Sequence, residues 1–216
     1  MKTRILTSLA ILLFAATGTN AQITQGKYVL GGSLGYSNSQ GEPNNSTPSQ
    51  EAFNSYIEFG KAFKDNTIAG VILSYSHANI TIINKANYYS GGVFYRKYKP
   101  LTKGLYFFGE ADLVYSYSQN IQGKLQIGSE GTRYTQNEVR IIFVPGLSYA
   151  VCKWLQMELS MPNVVSLSYN RAKTESTFTS SQQTITSKSN NFNANANLNS
   201  NLLNNLGIGF KFLLGK

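Results

Sequence analysis

Two acidic residues lie within a strongly apolar and aromatic stretch, "LYFFGEADLVYSYS", at residues 105–118. A carboxylate pair of this kind can bind a metal ion, line a path for protons or ions, or form ion pairs with arginines. In a β-strand successive side chains point to opposite faces, so Glu110 and Asp112 share one face with Ser116 while the apolar residues take the other. The chemistry of the pair therefore depends on what the acidic face contacts.

The single histidine, His77, lies close to Ser74 and Ser76, a combination that could form a serine–histidine site acting on lipids. Ser76 is badly placed for this, because adjacent residues of a strand point to opposite faces and the serine would have to come from another strand.

Cys152 is alone, which excludes an internal disulfide and a multi-cysteine metal site. No phosphate loop, zinc-type spacing or nucleotide fingerprint is present. We predict a protein that is not an enzyme and has no catalytic, metal or cofactor site.

The chain begins with "MKTRILTSLAILLFAATGTNAQ", which has two cations, an apolar run and then small residues. This pattern predicts a secretory signal peptide at residues 1–21 and one mature domain at residues 22–216. No cysteine lies at the cleavage region, so a lipoprotein anchor is not expected, and no later stretch reaches the roughly 18–20 apolar residues of a spanning helix.

The formal net charge is +9, but the cations are scattered along an exported chain, so we expect no nucleic-acid binding.

Eight segments of the mature chain alternate with the period of a β-strand. Short connections occupy 64–67, 98–104 and about 151–153, whereas long connections rich in Asn, Ser, Gln, Gly and Thr occupy 37–52, 77–87, 119–138 and 169–202. This rhythm predicts an all-β fold, an eight-stranded antiparallel up-and-down transmembrane barrel. The run 191–201 fits either a continuation of the last strand or disorder. The predicted strands are Tyr28–Tyr36, Phe53–Phe63, Ile68–Ser76, Tyr88–Lys97, Leu105–Ser118, Val139–Ala150, Trp154–Ser168 and Leu203–Leu213.

One face of these strands is bulky and apolar, and the other is mostly Gly, Ser and Ala. A soluble barrel would turn the apolar face inward, but its water-facing positions would have room for larger polar residues, whereas a narrow eight-stranded lumen would not. We therefore predict that the apolar face meets lipid. Its members are Tyr28, Leu30, Leu34, Tyr36, Ile57, Phe59, Phe63, Val71, Leu73, Tyr75, Tyr89, Val93, Tyr95, Leu105, Phe107, Leu113, Tyr115, Tyr117, Ile141, Phe143, Leu147, Tyr149, Leu155, Met157, Leu159, Met161, Leu206, Ile208, Phe210 and Phe212.

Several ionisable residues fall on the small-residue face and would fill the lumen. Buried charges must be paired and hydrogen-bonded, so we predict that Glu110 and Asp112 bind Arg96 and Arg140 on the neighbouring strands. The network could be a plug that holds the strands in register, or a gated path for protons or ions. Its predicted members are Glu58, Arg96, Glu110, Asp112, Arg140, Glu158 and Lys211.

Lysines collect near the short connections, where only Asp65 opposes them. They could anchor this rim on phospholipid headgroups or simply keep the turns soluble. The set comprises Lys61, Lys64, Lys97, Lys99, Lys103, Lys153 and Lys216.

The stretches "GKYVLGGSLGYS", "GKAFKDNTIAGVILSYS", "KPLTKGLYFFGEADLVYSYS", "PGLSYAV", "LQMELSM" and "NNLGIGFKFLL" together resemble the small porin-like outer-membrane β-barrel family of Gram-negative, Bacteroidetes-type bacteria. The resemblance implies a location in the cell outer membrane, contact with its lipids and lipopolysaccharide, and insertion by the barrel assembly machinery. The alternating apolar final strand, Leu206, Ile208, Phe210 and Phe212, matches the signal that this machinery reads. The chain departs from the usual aromatic terminus, because "LLGK" follows Phe212.

We expect a non-enzymatic membrane scaffold that displays long polar loops outside the cell. The alternative is a narrow channel or carrier for small hydrophobic or ionic solutes, and a lipid-modifying enzyme is less favoured. The sequence determines neither a solute, nor the partner of the loops, nor the oligomeric state.

Overall fold

A computed structural model of the chain describes residues 23–39, 50–80, 84–122, 131–161, 164–178, 183–196 and 206–215. The predicted signal peptide and Lys216 lie outside these residues. No helix in this part of the chain is long and apolar enough to cross a membrane. The strands are β1 (Tyr28–Ser39), β2 (Gln50–Lys64), β3 (Thr67–Ile80), β4 (Asn84–Thr102), β5 (Leu105–Gln122), β6 (Gly131–Cys152), β7 (Leu155–Ser160), β8 (Val165–Phe178), β9 (Gln183–Ala196) and β10 (Gly207–Leu214).

The strands close into an antiparallel barrel. Each strand from β1 to β6 pairs with the next one along the chain, and β7 pairs with β10. Pairing of β10 with β1, from Tyr28↔Leu214 to Gly31↔Lys211, completes the ring. The predicted eight-stranded antiparallel β-barrel is therefore confirmed.

The barrel has two different ends. At the turn end the chain reverses within two residues, at Asp65–Asn66, Lys103–Gly104 and Lys153–Trp154. Asn66 (φ 57°) and Gly104 (φ 81°) take the left-handed conformation that such tight turns require. The opposite end, called the loop end below, carries the hairpins formed by β1–β2, β3–β4, β5–β6 and β8–β9.

The predicted seventh strand is divided in two, and the described part of the predicted eighth strand corresponds to β10, with β9 as an additional strand before it. Strands β7 and β8 lie end to end along β6, with Gly146↔Ser160 on one side of the break and Phe143↔Val165 on the other. Strand β9 pairs with β8 and β10 pairs with β7. Residues 191–196 of the ambiguous Asn-rich run are therefore strand, while 197–201 lie outside the described residues.

The strands extend much further toward the loop end than the sequence predicted. Most of the supposed connections 77–87, 119–138 and 169–202 are paired strand, for example in the register Gln119↔Thr135 and Arg171↔Asn190. The error has a physical cause: where both faces of a strand meet water, neither needs apolar residues, so the alternation that marks a strand disappears.

The pairing of β1 changes along its length. Within the described residues, β1 pairs with both β2 and β10 from Tyr28 to Gly31 but only with β2 from Gly32 to Ser39, and β9 pairs only with β8. Side chains in these parts of β1 and β9 are highly exposed, at 78% for Leu34 and 70% for Phe192. The described strands therefore form a closed ring at the turn end.

The predicted inward and outward faces are correct. Every described member of the lipid-facing set is exposed or half-buried. Aromatic rings contact each other across neighbouring strands on this outer surface, with centroid distances of 5.8 Å for Tyr28–Phe59 and 5.1 Å for Tyr75–Tyr89. The outer surface therefore carries exposed apolar side chains on neighbouring strands, and we call this set the apolar belt.

Apolar side chains seal the turn end of the lumen. Ile23 precedes β1 and is fully buried, held by a hydrogen bond from the Asn66 backbone N–H to its carbonyl oxygen (2.8 Å). The Gly26 N–H donates to the Ala62 carbonyl oxygen (2.8 Å), so residues 23–26 lie against the end of β2 and its turn to β3. We call this cluster the apolar plug; it comprises Ile23, Val29, Ala62, Ile68, Ile72, Phe94, Tyr98, Tyr106, Phe108, Ala150 and Leu213.

Glycines make room for the large rings of the plug. A Cβ at Gly146 would overlap the Phe108 ring and the Leu159 carbonyl oxygen, and one at Gly70 would overlap Phe94 and the Phe59 carbonyl oxygen. Since protein interiors are close-packed, these positions cannot gain a methyl group without displacing their neighbours.

We predict that Gly146→Ala lowers the free energy of unfolding by about 1–3 kcal/mol, because overpacking forces ring and backbone shifts. The measurement is urea unfolding in detergent micelles. Gly209→Ala is the matched control, because a Cβ at this strand position has no atom within 4 Å. Equal losses in the two variants would contradict the packing explanation.

Candidate functional site

The centre of the lumen is organised around Arg96, which points inward from β4. Its Nε donates to Glu110 Oε2 (2.6 Å), and its Nη1 donates to both Glu158 carboxylate oxygens (3.2 and 3.0 Å). Nη2 forms an ion pair with Glu58 Oε1 (3.3 Å). All four side chains are buried. One guanidinium therefore joins acids from β2, β5 and β7.

Lys211 extends the cluster to the strand that closes the barrel. Its Nζ donates to Glu58 Oε2, 153 positions away in the sequence. Opposite Lys211 on β1 is Gly31, where a Cβ would overlap the lysine Cδ and Nζ. The missing side chain at Gly31 thus leaves the space through which the lysine reaches Glu58.

Tyrosine hydroxyls supply additional hydrogen bonds to the acids. Tyr56 donates to Glu58 Oε2 (3.1 Å), and Tyr98 donates to Glu158 Oε1 (2.9 Å) while accepting from Arg96 Nη1 (3.1 Å). The guanidinium carbon also lies 4.8 Å from the ring centroid of Phe108. These contacts offset part of the cost of removing the charges from water, and they seat the cluster on the apolar plug.

The structure brings together five of the predicted network residues, namely Glu58, Arg96, Glu110, Glu158 and Lys211. Asp112 lies next to them on the same face of β5 and is only 8% exposed. It forms no hydrogen bond or ion pair with another described residue, and its Oδ1 is buried without a partner.

The prediction that Arg140 binds the acidic pair was wrong. Its Nη2 pairs with Glu138 Oε2 (2.6 Å), two residues earlier on β6, and its side chain is 35% exposed. Arg140 lies opposite Val114 in the register, one inward position closer to the loop end than Asp112. Glu138 was missed because it falls in a stretch interpreted as a connection. Its spacing of two from Arg140, on the same strand face, was the available signal.

The cluster is more acidic than the sequence suggested. Without Arg140 it contains four carboxylates, from Glu58, Glu110, Asp112 and Glu158, against the two cations of Arg96 and Lys211. Within the described ranges no group of three or more His, Cys, Asp or Glu side chains is arranged to hold a metal ion. What the geometry provides is a set of charged links between strands, with Asp112 left as an excess carboxylate.

The serine–histidine combination is divided between the two faces of β3. His77 lies on the outer side, where its Nδ1 is 2.7 Å from Asn87 Oδ1, a neutral amide oxygen. Ser76 lies on the inner side and donates to Asn54 Oδ1 (2.5 Å). These two residues therefore do not form a nucleophile–base pair with each other.

The remaining predicted positions lie on the outer surface. Lys61, Lys64, Lys97, Lys99, Lys103 and Lys153 are all exposed near the turn end, and the Lys61 Nζ lies 5.3 Å from the Tyr28 ring centroid. Ile208, Phe210 and Phe212 of the predicted assembly signal are exposed on β10, and Leu206 is half-buried just before it.

No protein-family model matches the chain, and no curated protein is significantly similar to it. The family resemblance therefore stays a prediction, and functional interpretation depends on the geometry of the lumen and the outer surface.

We predict that Arg96→Met lowers the free energy of unfolding by about 3–5 kcal/mol, because it leaves Glu110 and Glu158 buried without a cation while Glu58 keeps Lys211. Urea unfolding in micelles measures the loss. Arg140→Met breaks a single ion pair whose arginine is partly exposed, so it should cost clearly less than Arg96→Met. Similar losses for the two arginines would contradict a central role for Arg96.

We predict that Asp112→Asn raises the free energy of unfolding by roughly 1 kcal/mol, because it removes an unpaired buried charge. Glu110→Gln is the matched comparison on the same strand face, and it should be destabilising because it weakens the link to Arg96. Urea unfolding in micelles measures the change in stability of both variants. A stability loss in Asp112→Asn as large as that in Glu110→Gln would show that Asp112 has an ionic partner.

Proposed function

We propose that this chain is a non-enzymatic outer-membrane β-barrel protein, a membrane scaffold that presents polar hairpins at its loop end. The observation that carries the proposal is a barrel that is apolar outside and filled inside. The family resemblance agrees with it.

The apolar belt favours a lipid environment. Leu73, Val93 and Ile141, on three different strands, are each more than half exposed on the outer surface. Soluble monomers rarely expose contiguous apolar patches larger than a few hundred Å². An outward apolar band with aromatic residues near its edges is the pattern of outer-membrane barrels.

The contents of the lumen favour a scaffold over an open channel. Phe108 and Ile68 are fully buried in the apolar plug, and Arg96 with its carboxylates fills the layer above it. The interior of an eight-stranded barrel is only wide enough for side chains to fill. Free diffusion of solutes from end to end would require these layers to move.

The polar hairpins are the parts of the chain best placed to meet other molecules. The whole of β9 is exposed, and with β8 it forms a hairpin rich in Ser, Thr and Asn. Among the described strands β9 pairs only with β8, so it lies at the end of the sheet. Contacts with a host surface, phage or neighbouring molecules would form here.

Cell fractionation tests the location. We expect the protein in the outer-membrane fraction, resistant to extraction with alkaline carbonate, and migrating faster before boiling than after boiling on detergent gels. Recovery of folded protein in a detergent-free soluble fraction would reject the proposal.

Planar-bilayer recording tests the scaffold against the channel. We predict that the wild-type protein is electrically silent. The double variant Tyr98→Ala, Phe108→Ala should conduct, because these two rings pack against each other in the plug, with centroids 5.7 Å apart, and their removal opens space there. Heat-modifiable migration confirms that the variant is folded. Stable conductance steps in the wild type would instead support the channel or carrier.

A further inference from the structure

The lumen above the charge cluster is lined by neutral polar side chains. The register of β2 to β6 and β8 turns hydroxyl, amide and phenol groups inward on the loop side of Asp112. We call this region the polar cup. Its inward side chains include Ser76, Tyr88, Ser118, Asn120, Tyr134 and Gln136.

The cup contains empty space of ligand size. One cavity of about 230 Å³ lies among Ser76, Tyr88 and Ser118, and another of about 270 Å³ lies toward Thr174. Asn120 and Tyr134 line both cavities. Each volume is slightly below the roughly 300–1,000 Å³ typical of small-molecule sites, so only a small ligand fits one cavity and a larger one would have to extend past Asn120 and Tyr134 into both.

The charge distribution argues against an ionic ligand. None of the described residues that line either cavity is charged. The charged residues on the inner face nearby, Glu138 and Arg140, neutralise each other at 2.6 Å. An anion entering the cup would lose its water without gaining a free cation. The excess carboxylate of Asp112 lies below the cup and is not among the described residues that line the two cavities, so a cation held there would gain no direct ionic contact.

The hydrogen-bonding groups argue against an apolar ligand. Ser76, Ser118 and Asn120 line the first cavity, and Asn120, Gln122 and Thr174 line the second. A hydroxyl that makes one hydrogen bond has further lone pairs, and an amide has two donor hydrogens and an acceptor oxygen. A hydrocarbon in the cavities would cover these groups and leave that capacity unused, at a cost in free energy. The suitable ligand donates and accepts at many positions and carries no charge.

Two tyrosines add flat surfaces to the cup. Tyr88 and Tyr134 lie on either side of β5, and the Tyr134 hydroxyl donates to Gln136 Oε1 (2.8 Å), which orients its ring. An aromatic ring presents an apolar face beside a polar tip, which suits a molecule with C–H groups on one side and hydroxyls at its edge.

We propose that the polar cup binds a neutral saccharide. Hydroxyls of the sugar would exchange hydrogen bonds with the serines and amides around Asn120, and its C–H face would pack against Tyr134. This site goes beyond the proposed scaffold function. A protein that binds no saccharide could still be an outer-membrane barrel. A protein that is not found in the outer-membrane fraction could still bind a saccharide.

Binding is tested with the full chain in a zwitterionic detergent without a sugar headgroup. The probes are an array of neutral oligosaccharides of two to four hexoses, with sulfated and sialylated oligosaccharides on the same surface. We expect saturable binding to neutral members, and a loss of about tenfold in affinity for Asn120→Ala and for Tyr134→Ala.

The controls are outer-face residues of the same types. Asn137→Ala, whose residue accepts a hydrogen bond from Tyr115 on the outside of the barrel, and Tyr169→Ala, half exposed on β8, should leave affinity unchanged. The proposal is overturned if the wild type binds no neutral oligosaccharide at about 10 mM, if it prefers the charged ones, or if the outer-face variants lose as much affinity as the cup variants.

Discussion

Arg96 lies in the narrow interior of the barrel, where an unpaired guanidinium would be very unfavourable. It is stable there because Glu58, Glu110 and Glu158 converge on it from three other strands. These acids reach one point only when the whole ring of strands has the correct order and register. The ion pairs can therefore form only when the barrel is closed, and they in turn stabilise the closed barrel. Lys211 lies on β10 beside β1, so its ion pair with Glu58 likewise requires that β1 and β10 are paired in the correct register.

Around this interaction the lumen is divided into three layers. The apolar plug excludes water at the turn end, the ionic layer lies on the rings of the plug, and the polar cup opens toward the loop end. The order follows the gradient of hydration: groups that tolerate no water are deepest, and groups that need partial hydration lie nearest the opening. A barrel arranged in this way can be stable as a scaffold while keeping one end available for recognition.

The sequence alone determined the strand architecture and the direction of its faces, because a period of two assigns each side chain to one face whatever strand lies beside it. It also indicated that Arg96 and Glu110 would meet in the lumen, since charge in so narrow a space must be paired. Only the tertiary structure decided features that depend on neighbours and on solvent: the partner of Arg140, the burial of Ile23 at the turn end, and the break between β7 and β8. The polar strand extensions were likewise invisible in the sequence, because a strand with water on both sides needs no apolar alternation.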